Sequence, residues 1–229
     1  MSPTTAVFFD VDFTLIYPGP MFQGDGYRHF CAAHGLAVDP ARFEAAVAVS
    51  SHILDDVEEP LYDEQLFIDY TASIITNMGG GGTAVEAAAR DIYDEWATNH
   101  HFEMYDDVGP VMRALRARGL TVGVISNSHR SLEAFRDHFL LHGLIHASVS
   151  SSEHGYMKPH RSIFDAALEQ AGVAASASVM VGDSLRQDVE GALAAGMRAV
   201  LLRRSGDVPA DLPPDVPVIR TLAELSDLL

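Results

Sequence analysis

Two aspartates, Asp10 and Asp12, end an apolar run in the stretch VFFDVDFTL at residues 7–15. One aspartate at the end of a strand is common, because its side chain accepts hydrogen bonds from backbone N–H groups in the following turn. A second carboxylate two positions later needs another explanation. Carboxylate oxygens are the ligands that hard divalent cations prefer, so the pair indicates a chemical site.

Three further polar clusters follow later apolar runs. Ser126 and Asn127 follow VGVI, Lys158 lies in the loop after ASVS, and Asp183 and Asp188 follow VMVG. In an open parallel sheet, ligands bind at the carboxyl ends of the strands, near a switch in strand order. We therefore expect the four clusters to meet at one edge of a sheet.

Each cluster also has an ordinary structural explanation when it is taken alone. Ser126 and Asn127 could cap the helix that follows them, and Asp188 could cap the helix that follows Asp188. Asp183 is a typical turn residue, and a lysine before a proline is ordinarily solvated. Lys158 is, however, the only lysine in a chain with 14 arginines. A position that needed only a positive charge would be expected to be arginine, so this lysine suggests that a compact ammonium group is required. If all four clusters meet at one edge, the separate structural explanations become less convincing, because each of them would have to apply at the same place.

The charges of these residues do not balance. Asp10, Asp12, Asp183 and Asp188 bring four carboxylates to the edge, and Lys158 brings one ammonium group. Carboxylates this close raise each other's pKa unless a cation compensates them. Because the ligands are all oxygens and no histidine or cysteine has a matching spacing, Mg²⁺ is favoured over zinc. The remaining charge of such a cation would attract an anionic substrate.

Short apolar runs predict the strands that must position these side chains. They lie at residues 6–9, 120–125, 147–150, 178–181 and 198–202. Helical patterns lie between the later runs, at residues 111–119, 131–140, 162–172 and 188–196. Three of these patterns end on glycine, which is a signal for a helix C-terminus. The alternation predicts an α/β fold with a Rossmann-like parallel-sheet core.

The stretch at residues 17–103 interrupts this alternation. Its helical patterns are separated by prolines or by the GGGG run at residues 79–82, and it has no convincing strand pattern. We predict an all-helical cap at residues 17–103, inserted after the first strand of an α/β catalytic core at residues 1–16 and 104–229. The predicted cap carries 15 Asp or Glu against three Arg, a net charge of −12.

The composition excludes several classes of partner. The chain has 229 residues and a formal net charge of −17, which repels phosphate backbones and anionic lipids. Nucleic acid and membrane surfaces are therefore poor partners. The single cysteine, Cys31, fits a reducing compartment, and the N-terminus has no signal-peptide pattern, so we expect a cytoplasmic protein.

The ordered set of motifs resembles the haloacid dehalogenase superfamily across the whole predicted core. The pattern DxD followed by Thr corresponds to Asp10, Asp12 and Thr14, and the residue that ends the second strand corresponds to Ser126. The third and fourth motifs are KPHRSIF, with Lys158, and GDSLRQD, with Asp183 and Asp188. The insertion is similar to the C1 cap of this superfamily, and the flanking stretches look like its dehalogenase-like phosphatases.

The resemblance implies phosphoryl transfer through an aspartyl-phosphate. Asp10 would be the nucleophile, and Asp12 would be the acid and then the base. Phosphoryl oxygens would be bound by Thr14, Ser126, the Asn127 amide and Lys158. Mg²⁺ would be bound by Asp10, the Asp12 carbonyl, Asp183 and Asp188. The implied substrate is a small phosphorylated metabolite, and the implied assembly is a monomer or weak homodimer.

Two alternatives to a phosphatase stay open from the sequence. A phosphomutase shares the aspartate pair but returns the phosphoryl group to a sugar, and a catalytically silent binding module would need no turnover. A dehalogenase is disfavoured, because a halide leaves without a proton and those relatives lack the second aspartate. The chain also departs from many relatives at Phe13, where they have glycine. The Phe13 ring either narrows the entrance between core and cap or packs under it, and we expect the packing, which leaves the catalytic assignment unchanged.

Overall fold

The computed structural model describes residues 3–55, 57 and 59–229. The chain divides into two compact units. One, the inserted unit, is Pro18–Glu103, and the other, the core unit, consists of the chain on either side of it. The cap predicted at residues 17–103 has nearly the same bounds as the inserted unit, although its role as a cap stays a prediction.

The strands are, in chain order, β1 (Ala6–Phe9), β2 (Ile16–Pro18), β3 (Phe102–Met104), β4 (Thr121–Ser126), β5 (Ala147–Ser150), β6 (Ser178–Gly182), β7 (Arg198–Leu202) and β8 (Val218–Ile219). The helices are α1 (Gly24–Ala33), α2 (Phe43–Ser50), α3 (His52–Asp55), α4 (Glu64–Asn77), α5 (Val85–Trp96), α6 (Val108–Ala117), α7 (Leu132–His138), α8 (Ser151–His154), α9 (Arg161–Ala171) and α10 (Gly191–Ala194). A π-helical segment at Leu185–Glu190 leads into α10.

The core unit is built on a parallel sheet of six strands in the order β5-β4-β1-β6-β7-β8. The chain moves outward from the central β1 in both directions, so the strand order switches beside it. Phe9, the last residue of β1, is level with Val124 of β4 and Val181 of β6. Ligands bind at such a switch point, and the Rossmann-like prediction is confirmed.

The strands form because their side chains are apolar on both faces. All four residues of β1 are fully buried, which is typical of a parallel strand covered by helices on each side. On one face Phe8, Ile125 and Met180 pack with Phe164 of α9 into a continuous core. This core fixes the carboxyl ends of β1, β4 and β6 relative to one another.

The helix predicted at residues 188–196 has a different form. It begins at Leu185 with the π-helical segment, and the hydroxyl of Ser184 accepts a hydrogen bond from the Gln187 N–H group at its start. Asp188 therefore lies inside the helical segment, and the explanation of Asp188 as a helix cap is wrong. The π-helical turn carries the Asp188 side chain toward the end of β6.

The inserted unit is mainly helical. Helices α4 and α5 pack along each other, and an aromatic cluster of Phe22, Trp96 and Phe102 joins the two ends of the unit. The strands β2 and β3 pair with each other at the boundaries of the insertion. The sequence prediction missed them, because three residues are too few to give a recognisable alternation. No helix in the described ranges is long and apolar enough to cross a membrane.

Candidate active site

Asp10 lies directly after β1 and is held at the centre of the sheet edge. Its backbone N–H group donates to the Val181 carbonyl of β6 at 2.9 Å, so the parallel hydrogen-bond pattern continues one residue beyond the strand. The Asp10 side chain is buried. Burial of a carboxylate needs compensating partners, and the neighbouring loops supply them.

Lys158 bridges two buried carboxylates. Its Nζ lies 2.5 Å from Asp10 Oδ1 and 2.7 Å from Asp188 Oδ1. The residue is only 2% exposed, so the explanation of a solvated loop lysine is wrong. The ammonium group ties the end of β1 to the π-helical segment after β6.

Asn127 fixes the Lys158 loop from the end of β4. Its Oδ1 accepts from the Lys158 N–H group at 2.7 Å, and its Nδ2 donates to the Lys158 carbonyl at 2.9 Å. The side chain of Asn127 is therefore engaged with backbone. Helix α7 begins five residues later and is capped by Ser131, so Asn127 and Ser126 do not cap it.

Asp188 and Asp183 complete an acidic cluster. A carboxylate oxygen of Asp188, Oδ2, accepts from the Ser184 N–H group at 3.0 Å. A Cβ atom on Gly182 would lie only 2.2 Å from Asp188 Cγ, so the end of β6 must be glycine for this side chain to enter. Carboxylate oxygens of Asp10, Asp183 and Asp188 all lie within 4.8 Å of one another.

The electrostatics of this cluster call for more positive charge. Burial raises the pKa of Asp10 well above its ordinary value, the Lys158 charge opposes the shift, and Asp188 and Asp183 add to it. Burial, and then the Asp188 charge, raise the pKa of Asp183 to about 7. Burial acts to lower the pKa of Lys158, but the two carboxylates outweigh it and raise that pKa. One ammonium thus stands against three carboxylates, an arrangement that fits an oxygen-liganded divalent cation.

Two buried hydroxyl groups of the predicted site lack a partner within the described part of the chain. They are Oγ of Ser126, at the end of β4, and Oγ1 of Thr14, in the turn after β1. A buried hydroxyl without a hydrogen bond is destabilising, so native structures usually satisfy such groups. Both groups are therefore free to bind the oxygens of a ligand.

Asp12 stands apart from the acidic cluster. Its Oδ1 lies 2.9 Å from Nη1 of Arg130, whose side chain is fully buried, while the Asp12 side chain keeps 18% exposure. Asp10 and Asp12 both lie beyond β1, which ends at Phe9. Strand alternation therefore does not set the separation of the two carboxylates.

Phe13 does not pack as expected. The turn after Asp12 is closed by a hydrogen bond from the Phe13 N–H group to the Ile16 carbonyl at 2.7 Å. This turn requires φ = 64° at Phe13, in the left-handed region, and leaves the side chain 46% exposed. The ring is therefore substantially exposed to solvent.

Sequence reasoning missed Arg130 and two serines. Arginine is seldom buried, so nothing except its place four residues after Ser126 could have identified Arg130. Ser150 and Ser151, at the end of β5, are fully buried, and their hydroxyls lack a partner among the described residues. No charge or motif singles them out in the sequence.

The chain is similar to several known proteins. A zebrafish (Danio rerio) haloacid dehalogenase-like hydrolase domain-containing protein 3 is 29% identical over 97% of this chain and 95% of its own length. A glyceraldehyde 3-phosphate phosphatase from Methanopyrus kandleri is 29% identical over 87% of this chain and 84% of its own. The crystal structure of a HAD phosphatase from Thermococcus onnurineus is 25% identical, with a TM-score of 0.67 over 98% and 97% of the two chains.

A model of the haloacid dehalogenase-like hydrolase family matches residues 4–196. The matched range begins before β1 and ends after α10, so it contains every residue of the candidate site. The chain is therefore a hydrolase that belongs to the haloacid dehalogenase-like hydrolase family.

Proposed function

We propose that the protein is a Mg²⁺-dependent phosphatase that hydrolyses a small phosphate monoester through an aspartyl-phosphate on Asp10. One observation carries this proposal, namely the different surroundings of the two aspartates. Asp10 lies in a buried cluster with Lys158 and two further carboxylates. Asp12 lies outside that cluster, is held by Arg130 and keeps access to solvent.

In the first step Asp10 is the nucleophile. One of its carboxylate oxygens forms a bond to phosphorus as the bond from phosphorus to the ester oxygen breaks. Protonated Asp12 donates its proton to that ester oxygen, and the alcohol leaves. Lys158 orients the Asp10 carboxylate for this attack, since its Nζ contacts Oδ1.

In the second step Asp12 is the base. It removes a proton from water as the water oxygen forms a bond to phosphorus, and the bond from phosphorus to Asp10 breaks. Inorganic phosphate leaves, Asp10 is again a carboxylate, and Asp12 is again protonated. The access of Asp12 to solvent supports this role, because the water must reach it.

Phosphoryl oxygens would be bound by groups at the same sheet edge. Ser126 and Thr14 offer their buried hydroxyls. Because the Asn127 side chain is engaged with Lys158, its backbone N–H group is the donor we assign to the phosphoryl group. Such fixed donors stabilise the charge of the transition state.

The cation we propose is Mg²⁺. Asp10, Asp183 and Asp188 would hold it together with the Asp12 carbonyl, and Asp188 would act directly or by orienting the others. When bound, Mg²⁺ neutralises part of the negative charge that separates a carboxylate from a phosphate. Hard oxygen ligands favour Mg²⁺ over softer metals.

Asp12 also favours ester hydrolysis over dehalogenation within this family. An alkoxide needs a proton as it leaves, whereas a halide does not. The substrate of the archaeal relative named above, glyceraldehyde 3-phosphate, makes phosphorylated trioses and other small sugar phosphates the first compounds to test. Our predictions of a cytoplasmic protein without nucleic-acid or membrane partners rest on the acidic composition and the single cysteine. The prediction of a monomer or weak homodimer rests on the family resemblance.

Steady release of phosphate from p-nitrophenyl phosphate tests the proposed function. We expect turnover that stops on chelation and returns with Mg²⁺. A mutase would release little phosphate without a sugar cofactor, and a silent module would release none, so either result would contradict the proposal. A panel of phosphorylated metabolites then identifies the substrate class.

A further inference from the structure

Arg130 is the largest fully buried side chain of the protein among the described residues. Its Nη1 lies 2.9 Å from Oδ1 of Asp12, at the edge of the sheet where the acidic cluster also lies. A guanidinium group is always charged and is strongly destabilised by burial without a partner. Its burial beside one particular carboxylate of the site therefore requires an explanation.

Stability alone does not explain this pair. Burying the Arg130 charge costs desolvation free energy that roughly offsets its attraction to Asp12, and apolar replacements of buried ion pairs are often neutral or stabilising. What the pair does supply is a fixed position for Asp12 Oδ1.

The loop after β4 fixes the position of the guanidinium. The Ser128 hydroxyl accepts from the Arg130 N–H group at 3.0 Å, which closes a tight turn. Ser131, the next residue, caps α7 by accepting from the Ala134 N–H group. Arg130 is thus anchored at its backbone between Ser126 and α7, and its side chain reaches from β4 to the turn after β1.

We propose that Arg130 is a positioning residue that holds the Asp12 carboxylate in the orientation required for proton transfer. This inference rests on the proposed function and deepens it. Arginine only donates hydrogen bonds and keeps its protons, so it orients Asp12 Oδ1 without competing for the transferred proton. The other oxygen, Oδ2, is the one that would exchange the proton with the ester oxygen and with water.

Two aryl esters separate this role from a structural one. Phenyl phosphate and p-nitrophenyl phosphate are similar in size, but phenolate is the more basic leaving group and depends more on proton donation. We expect Arg130→Met to lower kcat/KM for phenyl phosphate about tenfold or more further than it lowers kcat/KM for p-nitrophenyl phosphate. A positioned general acid typically contributes a larger rate factor than this, so the expected change is a modest part of that contribution.

Arg116→Met is the matched control. Arg116 also lies in the core unit and donates from Nη1, at 2.7 Å to the Leu120 carbonyl, but it touches no carboxylate of the site. Its replacement should leave the ratio of the two rates unchanged. Arg130→Lys keeps the charge and replaces Arg130→Met if the latter does not fold, and we expect the ratio to change in the same direction.

Equal losses with both esters, or a wild-type ratio in folded Arg130→Lys, would overturn the role of Arg130. The rates of the wild-type chain with Mg²⁺ test the proposed function separately from this ratio. A wild-type chain that hydrolyses neither ester would overturn both proposals. A Mg²⁺-dependent wild type with an unchanged ratio in the variants would leave the phosphatase and remove only the positioning role.

Discussion

At the scale of single residues, the proposed nucleophile, Asp10, gives the largest predicted effect. Asp10→Asn replaces a carboxylate by an amide, which cannot attack phosphorus. We expect turnover of p-nitrophenyl phosphate to fall by several orders of magnitude, as it does when the bond-forming member of a catalytic set is removed. Activity above a few per cent of wild type, in a preparation free of other phosphatases, would show that Asp10 is not the nucleophile.

Asp12→Asn should differ from Asp10→Asn in kind. It should disable both chemical steps but leave the affinity for Mg²⁺ nearly unchanged, because the Asp12 carboxylate lies outside the acidic cluster and contacts Arg130. Calorimetric titration with Mg²⁺ measures this difference. An equal loss of affinity in the two variants would contradict the separate roles.

Lys158 tests the need for a compact ammonium. Lys158→Arg keeps the charge but places a longer planar group between Asp10 and Asp188, where Nζ now makes two short contacts. We expect a loss of about tenfold or more in kcat/KM, which corresponds to about 1.4 kcal/mol of transition-state stabilisation. Lys158→Ala should lose more. Wild-type kinetics in Lys158→Arg would assign the residue a structural role.

At the scale of elements, the buried strands of the large sheet were predictable, whereas the short strands β2, β3 and β8 and the turns were not. Buried parallel strands have continuous apolar sequences, so β1, β5 and β7 began and ended at the predicted residues. The positive φ of Phe13 was not predictable, because a bulky residue is rare in that region and nothing in its own sequence requires the turn.

The part of the candidate site that lies at the ends of the strands was predictable from the sequence. The positions of Asp10 and Lys158 followed from the order of the motifs, whereas the pairing of Arg130 with Asp12 needed the path of the loop after β4. Long-range contacts between loops depend on packing and not on local sequence. The π-helical segment before α10 was not predictable for the same reason, since it too depends on packing.

The end of β6 lies so close to the π-helical segment that a side chain at Gly182 should disturb the acidic cluster. In Gly182→Ala the new methyl group would overlap the buried side chain of Asp188, so the cluster must move. We expect a loss of stability of about 1–3 kcal/mol and a weaker affinity for Mg²⁺. Gly81→Ala is the control, since a Cβ atom there meets nothing within 4 Å. Unchanged Mg²⁺ affinity in Gly182→Ala would remove Asp188 from the proposed metal site.

At the scale of the whole molecule, the chain carries a formal net charge of −17, and a cluster of three carboxylates, two of them buried, shares one ammonium group. The raised pKa values of Asp10 and Asp183 mean that the metal-free folded protein holds protons that the unfolded chain has already lost. By linkage, these groups make the metal-free protein less stable as the pH rises from about 4 toward 7. A bound cation would replace those protons.

Mg²⁺ should therefore stabilise the protein more at high pH than at low pH. Below the Asp183 pKa of about 7, Mg²⁺ must displace a proton, and above it the carboxylate is already ionised. We expect the rise in Tm on adding Mg²⁺ to be larger at about pH 8 than at about pH 5.5, at matched ionic strength in KCl. Asp183→Asn should reduce the rise at pH 8, whereas Asp211→Asn, an exposed control, should preserve it. An equal rise at both pH values would mean that Mg²⁺ does not bind at these carboxylates.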